Sequence, residues 1–262
     1  MIVLDDLAGE SDYPDGLYAL DRVMEEQGWW YASRNGVVVQ ELRPWVGRLG
    51  LSTILDVGCG TGFVAQQLEP LGLDVIGVDA SLAGLAVARE RMTGPLLRSG
   101  ATALPLAEAV DGVALMDVLE HAEEAPLLGA CHEALRPGGL LLVSVPARPS
   151  LWSQEDTVVG HRRRYTRLTL RAALASAGFD VLRLRPFHSA ITLIALANRR
   201  SSSPEQQPPD DPAAWLARRR VPPGPRTNAL MTALCKAERT LGRRVPLPYE
   251  SHLLALAQRP DR

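Results

Sequence analysis

The sequence predicts an α/β fold: a mostly parallel sheet with helices on both faces. Three observations carry this reading. From Thr53 onward, short apolar runs alternate with amphipathic stretches of helical spacing, the pattern of βαβ units. A glycine turn, Gly58-Cys59-Gly60-Thr61-Gly62, follows the first of those runs, where a strand would hand over to a helix beneath a ligand. Arg136-Pro137-Gly138-Gly139 ends a helical stretch and opens the strongest strand candidate.

In chain order, residues 1–50 read as a helical segment with an aromatic and basic cluster at Trp29, Trp30, Tyr31 and Arg34. Ile54–Val57, Val75–Val78, Val113–Met116 and Leu140–Val145 read as buried strands, and Phe63–Leu68, Leu82–Met92 and Ala125–Leu135 as the helices between them. Leu168–Ala177 is a further helix that Gly178 stops, and Val181–Leu184 a strand. The pattern then breaks. Ser201–Pro209 and Val221–Pro225 are polar or proline-rich and read as loops, Leu230–Leu241 as a helix and His252–Ala257 as a last strand. The expected division is an N-terminal helical segment (1–50), a core (51–187), a cap inserted at 188–247 and a final core strand (248–262).

Composition sets outer limits. The chain has 262 residues, 46% of them hydrophobic and 22% charged, enough to bury a full core in one large domain or in one domain with an elaborated cap. Lys236 is the only lysine among 28 basic residues, a bias that fits a GC-rich genome. A formal net charge of −2 gives no electrostatic reason to expect nucleic acid as a partner. Cys59, Cys131 and Cys235 are scattered, with no metal-ligand spacing, so no metal and a reduced, cytoplasmic setting are expected. The acidic start, Met1–Glu10, is unlike a signal peptide, and Ala190–Ala197 falls far short of the roughly 20 residues that span a bilayer.

The glycine turn narrows its ligand. A dinucleotide fingerprint would place its third glycine at position 63, which is Phe63, and a phosphate-binding loop would need a lysine that is absent. The tighter spacing suits a nucleoside without a pyrophosphate. Asp79 closes Val75-Ile76-Gly77-Val78-Asp79, where a carboxylate can accept both ribose hydroxyls; capping of the following helix is its structural alternative.

Leu55–Gly62, Asp79, Leu104-Pro105-Leu106, Asp117-Val118-Leu119-Glu120-His121 and Leu135–Gly139 together resemble a class I S-adenosylmethionine-dependent methyltransferase, over about residues 50–146. The flanks, with Trp29–Arg34, Leu151–Asp156, Gly160–Tyr165 and Asn228–Glu238, resemble a bacterial small-molecule subgroup of these enzymes. The resemblance implies a Rossmann-like sheet of seven strands and S-adenosylmethionine as the cofactor. It implies contacts to the cofactor from Asp56, Gly58, Cys59, Gly60, Gly62, Asp79, Ala80, Ala101, Thr102, Asp117 and Val118. An acid that such enzymes often carry after the third strand is replaced here by Gly100, which leaves adenine to backbone groups or Thr102.

Arg34 could pair with the cofactor carboxylate or be a surface arginine. Trp29 and Trp30 read as packing residues, and Tyr31 suits either role. Residues 147–167 form a long polar loop at the carboxyl end of the sheet. Its Arg162-Arg163-Arg164 run is a solvated face or a landing site for an anion. The candidate proton acceptors are His161 first and His121 second, with Tyr165 orienting the substrate. His188 and His252 are weaker candidates, and His132 reads as an exposed helix residue. The expected activity is in-line methyl transfer to a small-molecule, secondary-metabolite or lipid-like nucleophile in biosynthesis. The alternatives are a cyclisation or isomerisation that keeps the cofactor, and a cofactor-sensing binding protein. The cap could cover a hydrophobic substrate, bury a second copy in a homodimer, or only pack locally.

Overall fold

The computed structural model describes residues 2–3, 13–189, 191–193, 209–242 and 249–261. Eight strands form one sheet: β1 (Ile2–Val3), β2 (Thr53–Val57), β3 (Asp74–Asp79), β4 (Leu96–Arg98), β5 (Val110–Met116), β6 (Leu135–Pro146), β7 (Asp180–Phe187) and β8 (His252–Gln258). Their order is β1-β4-β3-β2-β5-β6-β8-β7. The pairs from β1 through β6 are parallel, and β8 runs antiparallel between β6 and β7. Apart from the two-residue edge strand β1, this is the expected seven-stranded Rossmann-like sheet. The strands of two and three residues, β1 and β4, are too short for a periodic signal and went unread.

The period-two alternation of the strands divides the core in two. Leu55, Val57, Val113, Leu115, Leu141 and Val143 face one side and pack against α5 (Glu124–Ala134) and α7 (Arg167–Ser176). Ile54, Ala114, Met116, Leu140 and Leu142 face the other, against α2 (Trp29–Leu49), α3 (Ala65–Leu68) and α4 (Leu82–Ala88). Strands buried on both faces and joined by helices are forced into parallel pairing with crossovers. The order reverses between β2 and β5, which opens a crevice at the carboxyl ends of those strands.

The N-terminal segment holds α1 (Tyr18–Gln27) and α2, as the sequence indicates. Of the inserted segment, α8 (Pro212–Arg219) lies beside the short turn Asp15–Leu17 and α6 (Gln154–Val158), and α9 (Pro225–Leu241) packs on α2. The apolar stretch 190–197 and the Ser/Gln/Pro tract lie largely outside the described residues. No helix among the described residues is long and apolar enough to cross a membrane.

At the opposite end of the sheet from the crevice, Asp111 accepts hydrogen bonds from the Ser52 N–H (2.9 Å), the Ser52 hydroxyl (2.8 Å) and the Thr53 N–H (3.0 Å). Burial works to raise its pKa, and these donors with Arg136 overcome it and draw the carboxyl down to about 2. Asp111→Asn is therefore expected to lower stability by about 1–2 kcal/mol at neutral pH. A group whose folded pKa is depressed stabilises above its unfolded pKa, about 3.9 for aspartate, and loses that contribution as pH falls through the folded value. The gap between wild type and Asp111→Asn should thus close between about pH 4 and about pH 2, as read by urea unfolding at stepped pH.

Candidate cofactor and acceptor site

The crevice holds a cavity of about 980 Å³. One end is walled by Gly58, Cys59, Gly60, Asp79, Ala80 and Ser99–Thr102, the other by Trp30, Glu120, His121, His161, Arg162 and His252. Asp117 and Val118, at the tip of β5, lie on the wall as well.

The glycine turn is shaped for close approach. Gly58 and Gly60 both have positive φ, +70° and +51°. A Cβ on Gly58 would stand 2.5 Å from the Val118 side chain, so this glycine is required by the protein itself. A Cβ on Gly60 would meet nothing nearer than Tyr18 at 3.9 Å. The open space over its backbone is room for a ligand. Gly62 does not line the cavity; it packs against Met92 and Ala88. Asp56 also lies off the wall. It is buried under the turn, where burial lifts its carboxyl to about 7. Both stand corrected as direct contacts: they support the turn from below.

Asp79 accepts from the Gly60 N–H and the Ser81 N–H, each at 2.8 Å, which couples the end of β3 to the turn after β2. Helix capping falls to Ser81, whose hydroxyl accepts from the Gly84 N–H. Burial pushes the Asp79 carboxyl up, against the pull of those backbone donors. A carboxylate has about four lone-pair sites, so these backbone donors leave room for a further one. A ribose diol at this wall fits, as does a sulfonium cation in a cavity lined by Asp79, Glu25, Asp117 and Glu120.

A network that sequence reading missed holds the turn from the other side. The Thr61 hydroxyl donates to Glu25 of α1 (2.7 Å), and buried Arg91 bonds both Glu25 and Thr61. These partners are distant in sequence and carry no motif.

Arg34 is neither on the surface nor free to reach outward. Its guanidinium is buried, donates to Asp117 Oδ2 at 2.7 Å and lies 5.2 Å from the Trp30 ring centroid. Asp117 also accepts from the Ser144 hydroxyl (2.8 Å) and has φ +60°. Burial opposes its ionisation, and Arg34, His252 and the Ser144 hydroxyl together outweigh burial and hold the carboxyl below its usual range. Trp30, read as packing, does pack edge-on against His252 but also faces the cavity. The Tyr31 hydroxyl on the same wall accepts from Arg220 at 2.9 Å.

The polar loop is organised by one carboxylate. Asp156 is buried and accepts from the Ser153 N–H and hydroxyl (both 2.7 Å), from His161 Nδ1 (2.8 Å) and from Arg164 Nε and Nη2 (2.8 and 2.9 Å). Burial would raise its carboxyl, and these donors hold it well below the usual range instead. The three arginines do not reach for an anion: Arg162 pairs with Glu123, Arg163 with Glu124 and Arg164 with Asp156.

His161 and His121 lie together, ring centroids 4.8 Å apart, beside Glu120. Burial and then the nearby Asp117 push the Glu120 carboxyl well above its usual range. Tyr165 stands corrected. It is fully buried in the core, off the cavity wall, with its hydroxyl toward the Leu119 carbonyl at 3.4 Å. An aromatic following a basic run simply turned inward. His188 is buried against Ser33 of α2 (3.0 Å) and is also off the wall. His132 packs half-buried on Phe179. His252 lines the cavity, and burial lowers its pKa to about 4. Of the described cap residues, Arg220 reaches the cavity wall, while α9 packs locally on α2.

The comparisons agree with this geometry. Residues 55–143 match the model of a family described as a methyltransferase domain. A protein of Mycolicibacterium smegmatis named as a probable S-adenosylmethionine-dependent methyltransferase is 35% identical over 173 residues, 64% of this chain and 66% of that protein. One of Mycobacterium tuberculosis with the same description is 32% identical, covering 70% of this chain and 64% of the relative. The chain thus spans about two thirds of these relatives' length. A ubiquinone biosynthesis O-methyltransferase of Pseudomonas paraeruginosa is 33% identical over 44% of this chain and 56% of its own. Among solved structures, a SAM-dependent methyltransferase from Archaeoglobus fulgidus superposes with a TM-score of 0.53 at 17% identity, covering 90% of this chain and 97% of that one. That likeness concerns the fold. With the glycine turn, Asp79 and the strand order in agreement, the chain belongs to the class I S-adenosylmethionine-dependent methyltransferases.

Proposed function

We propose that this chain methylates a hydroxyl oxygen of a small molecule. The observation that carries the reading is the continuity of one cavity from the Asp79 wall, past Asp117 and Val118, to a cluster of proton-accepting side chains at Glu120, His121 and His161. Similarity to an O-methyltransferase in the core supports an oxygen acceptor.

Gly58, Cys59, Gly60, Asp79, Ala80, Ala101 and Thr102 would hold S-adenosylmethionine, with Asp79 accepting from its ribose. When bound, the cofactor supplies an electrophilic methyl group on a sulfonium. What remains for the protein is alignment, exclusion of water and removal of one proton. Arg34 fixes Asp117 and so the tip of β5. Asp156, ionised by Arg164, accepts the His161 Nδ1–H and so presents the other ring nitrogen, Nε2, at the acceptor end. His161 is the first proton acceptor in this reading and His121 the second. Trp30, His252 and the Tyr31–Arg220 pair enclose the space between, and of the described residues of 188–247 Arg220 serves as the cap on that side.

The test is calorimetry with S-adenosylmethionine, followed by mass analysis of candidate hydroxyl acceptors incubated with the protein and cofactor. Micromolar binding and a product heavier by one methyl group are expected. Failure to bind at millimolar cofactor overturns the reading, and substrate consumed without a change in mass replaces transfer by isomerisation.

A further inference from the structure

We propose that Glu120, His121 and His161 form a divalent-cation site at the acceptor end of the cavity, suited to a first-row transition ion. One ligand atom from each lies within 4.8 Å of the others, and all three residues line the cavity.

Two further observations point to an ion. Glu120 is completely buried, yet neither of its carboxylate oxygens has a hydrogen-bond partner. A buried carboxylate without a donor is among the costliest groups a fold can keep, and it must hold its proton or take a cation. The second observation is the orientation of His161. Its Nδ1 is taken up by Asp156, which turns the other ring nitrogen, Nε2, toward Glu120 Oε1, 3.8 Å away. At this range the two atoms need a proton or a positive ion between them, and His121 beside them completes a ligand set for the ion. A carboxylate behind a histidine that points its other nitrogen at a ligand site is the usual outer shell of a metal-binding imidazole, fixing both tautomer and ring orientation. Asp156 is itself locked by Arg164 and Ser153, so the orientation is built in before any ion arrives.

Two imidazoles and one carboxylate favour Mn²⁺, Fe²⁺, Co²⁺ or Zn²⁺ over Mg²⁺ or Ca²⁺, which prefer all-oxygen sets. Ligand bonds of about 2.1 Å require the three atoms to draw in to about 3 Å of one another, a matter of side-chain rotation. Three protein ligands leave open positions, and the open side is the cavity. This inference rests on the proposed methyl transfer and deepens it. An ion held by these residues would acidify a hydroxyl bound in its open positions, whose proton would pass to bulk water, with the oxygen facing Asp117 and Val118. His161 then acts as a ligand rather than as the direct proton acceptor.

The experiment uses the full chain, stripped with chelator and titrated with Co²⁺ followed by its visible d–d absorption, and in parallel with Zn²⁺ by calorimetry. Saturation at one ion per chain is expected, with affinity reduced about 10-fold or more in His121→Ala and in His161→Ala. Glu120→Gln should lose the Co²⁺ spectrum; since that buried change could disturb folding, the two histidine variants decide the matter. S-adenosylmethionine binding is measured on every sample. Wild type that binds S-adenosylmethionine but shows no saturable Co²⁺ or Zn²⁺ binding overturns the cation site and leaves the methyltransferase reading standing. Equal Co²⁺ affinity in wild type and both histidine variants overturns it too, by placing the ion elsewhere. Co²⁺ binding lost in the variants, in a protein that binds no S-adenosylmethionine, keeps the site and removes the methyl-transfer reading.

Discussion

Asp79→Ala is expected to weaken S-adenosylmethionine binding by about 10-fold or more. The carboxylate would accept from a ribose hydroxyl, and a hydrogen bond to a charged group contributes about 1.5–3 kcal/mol, so losing it amounts to at least a factor of about 10. The substitution also strips acceptors from the Gly60 and Ser81 N–H groups, which loosens the turn that lies under the ligand. Asp79→Asn separates these effects. The amide keeps the shape and one acceptor but turns a donor toward one of its partners. It should lie between alanine and wild type in affinity and nearer wild type in thermal stability. Calorimetry and melting curves on the three proteins provide both readings. An alanine variant within threefold of wild-type affinity would show that Asp79 serves the fold and does not hold the ribose.

The sheet was legible because its strands are buried on both faces and therefore read as continuous apolar runs, such as Leu140–Val145. The cofactor end was legible for a different reason. Gly58, Gly60 and Asp79 are held by backbone demands, positive φ and acceptance from turn N–H groups, and these demands select residue types at set spacings. The acceptor end has no such local signature. Arg34 meets Asp117 across 83 residues of sequence, and Arg162 meets Glu123 across 39. Glu120 stood inside a motif already quoted, between Asp117 and His121, but only the fold brings His161 against it. Tyr165 shows the converse. It sits in a polar, arginine-rich loop, yet the parallel bridge between Ala147 and Tyr165 carries that stretch alongside the end of β6, and its ring drops into the core. One signal was available and went unused: Ser153-Gln154-Glu155-Asp156 has capping-box spacing, which places the Asp156 carboxylate at the start of α6.

That carboxylate carries the largest expected effect on stability. Asp156→Ala removes the common acceptor of five hydrogen bonds and leaves the Arg164 guanidinium, largely buried, without its ion partner. Breaking a buried pair from one side costs about 3–5 kcal/mol, because the remaining charge stays desolvated, and loss of the cap on α6 adds about 1 kcal/mol. Arg164 has one remaining acceptor, the Ala147 carbonyl at 3.1 Å, which moderates the loss without cancelling its charge. The whole stretch from Ser153 to Arg164 should loosen, and hydrogen exchange should locate the change there rather than in the sheet. The double change Asp156→Ala with Arg164→Met provides the control. It removes both charges and should regain much of the lost stability, while His161 remains unoriented. If orientation of His161 matters to the chemistry, the double variant will melt close to wild type yet turn over its acceptor more slowly, with kcat reduced and cofactor affinity kept. A double variant with wild-type kcat would show that Asp156 holds the loop together and does nothing for the reacting groups.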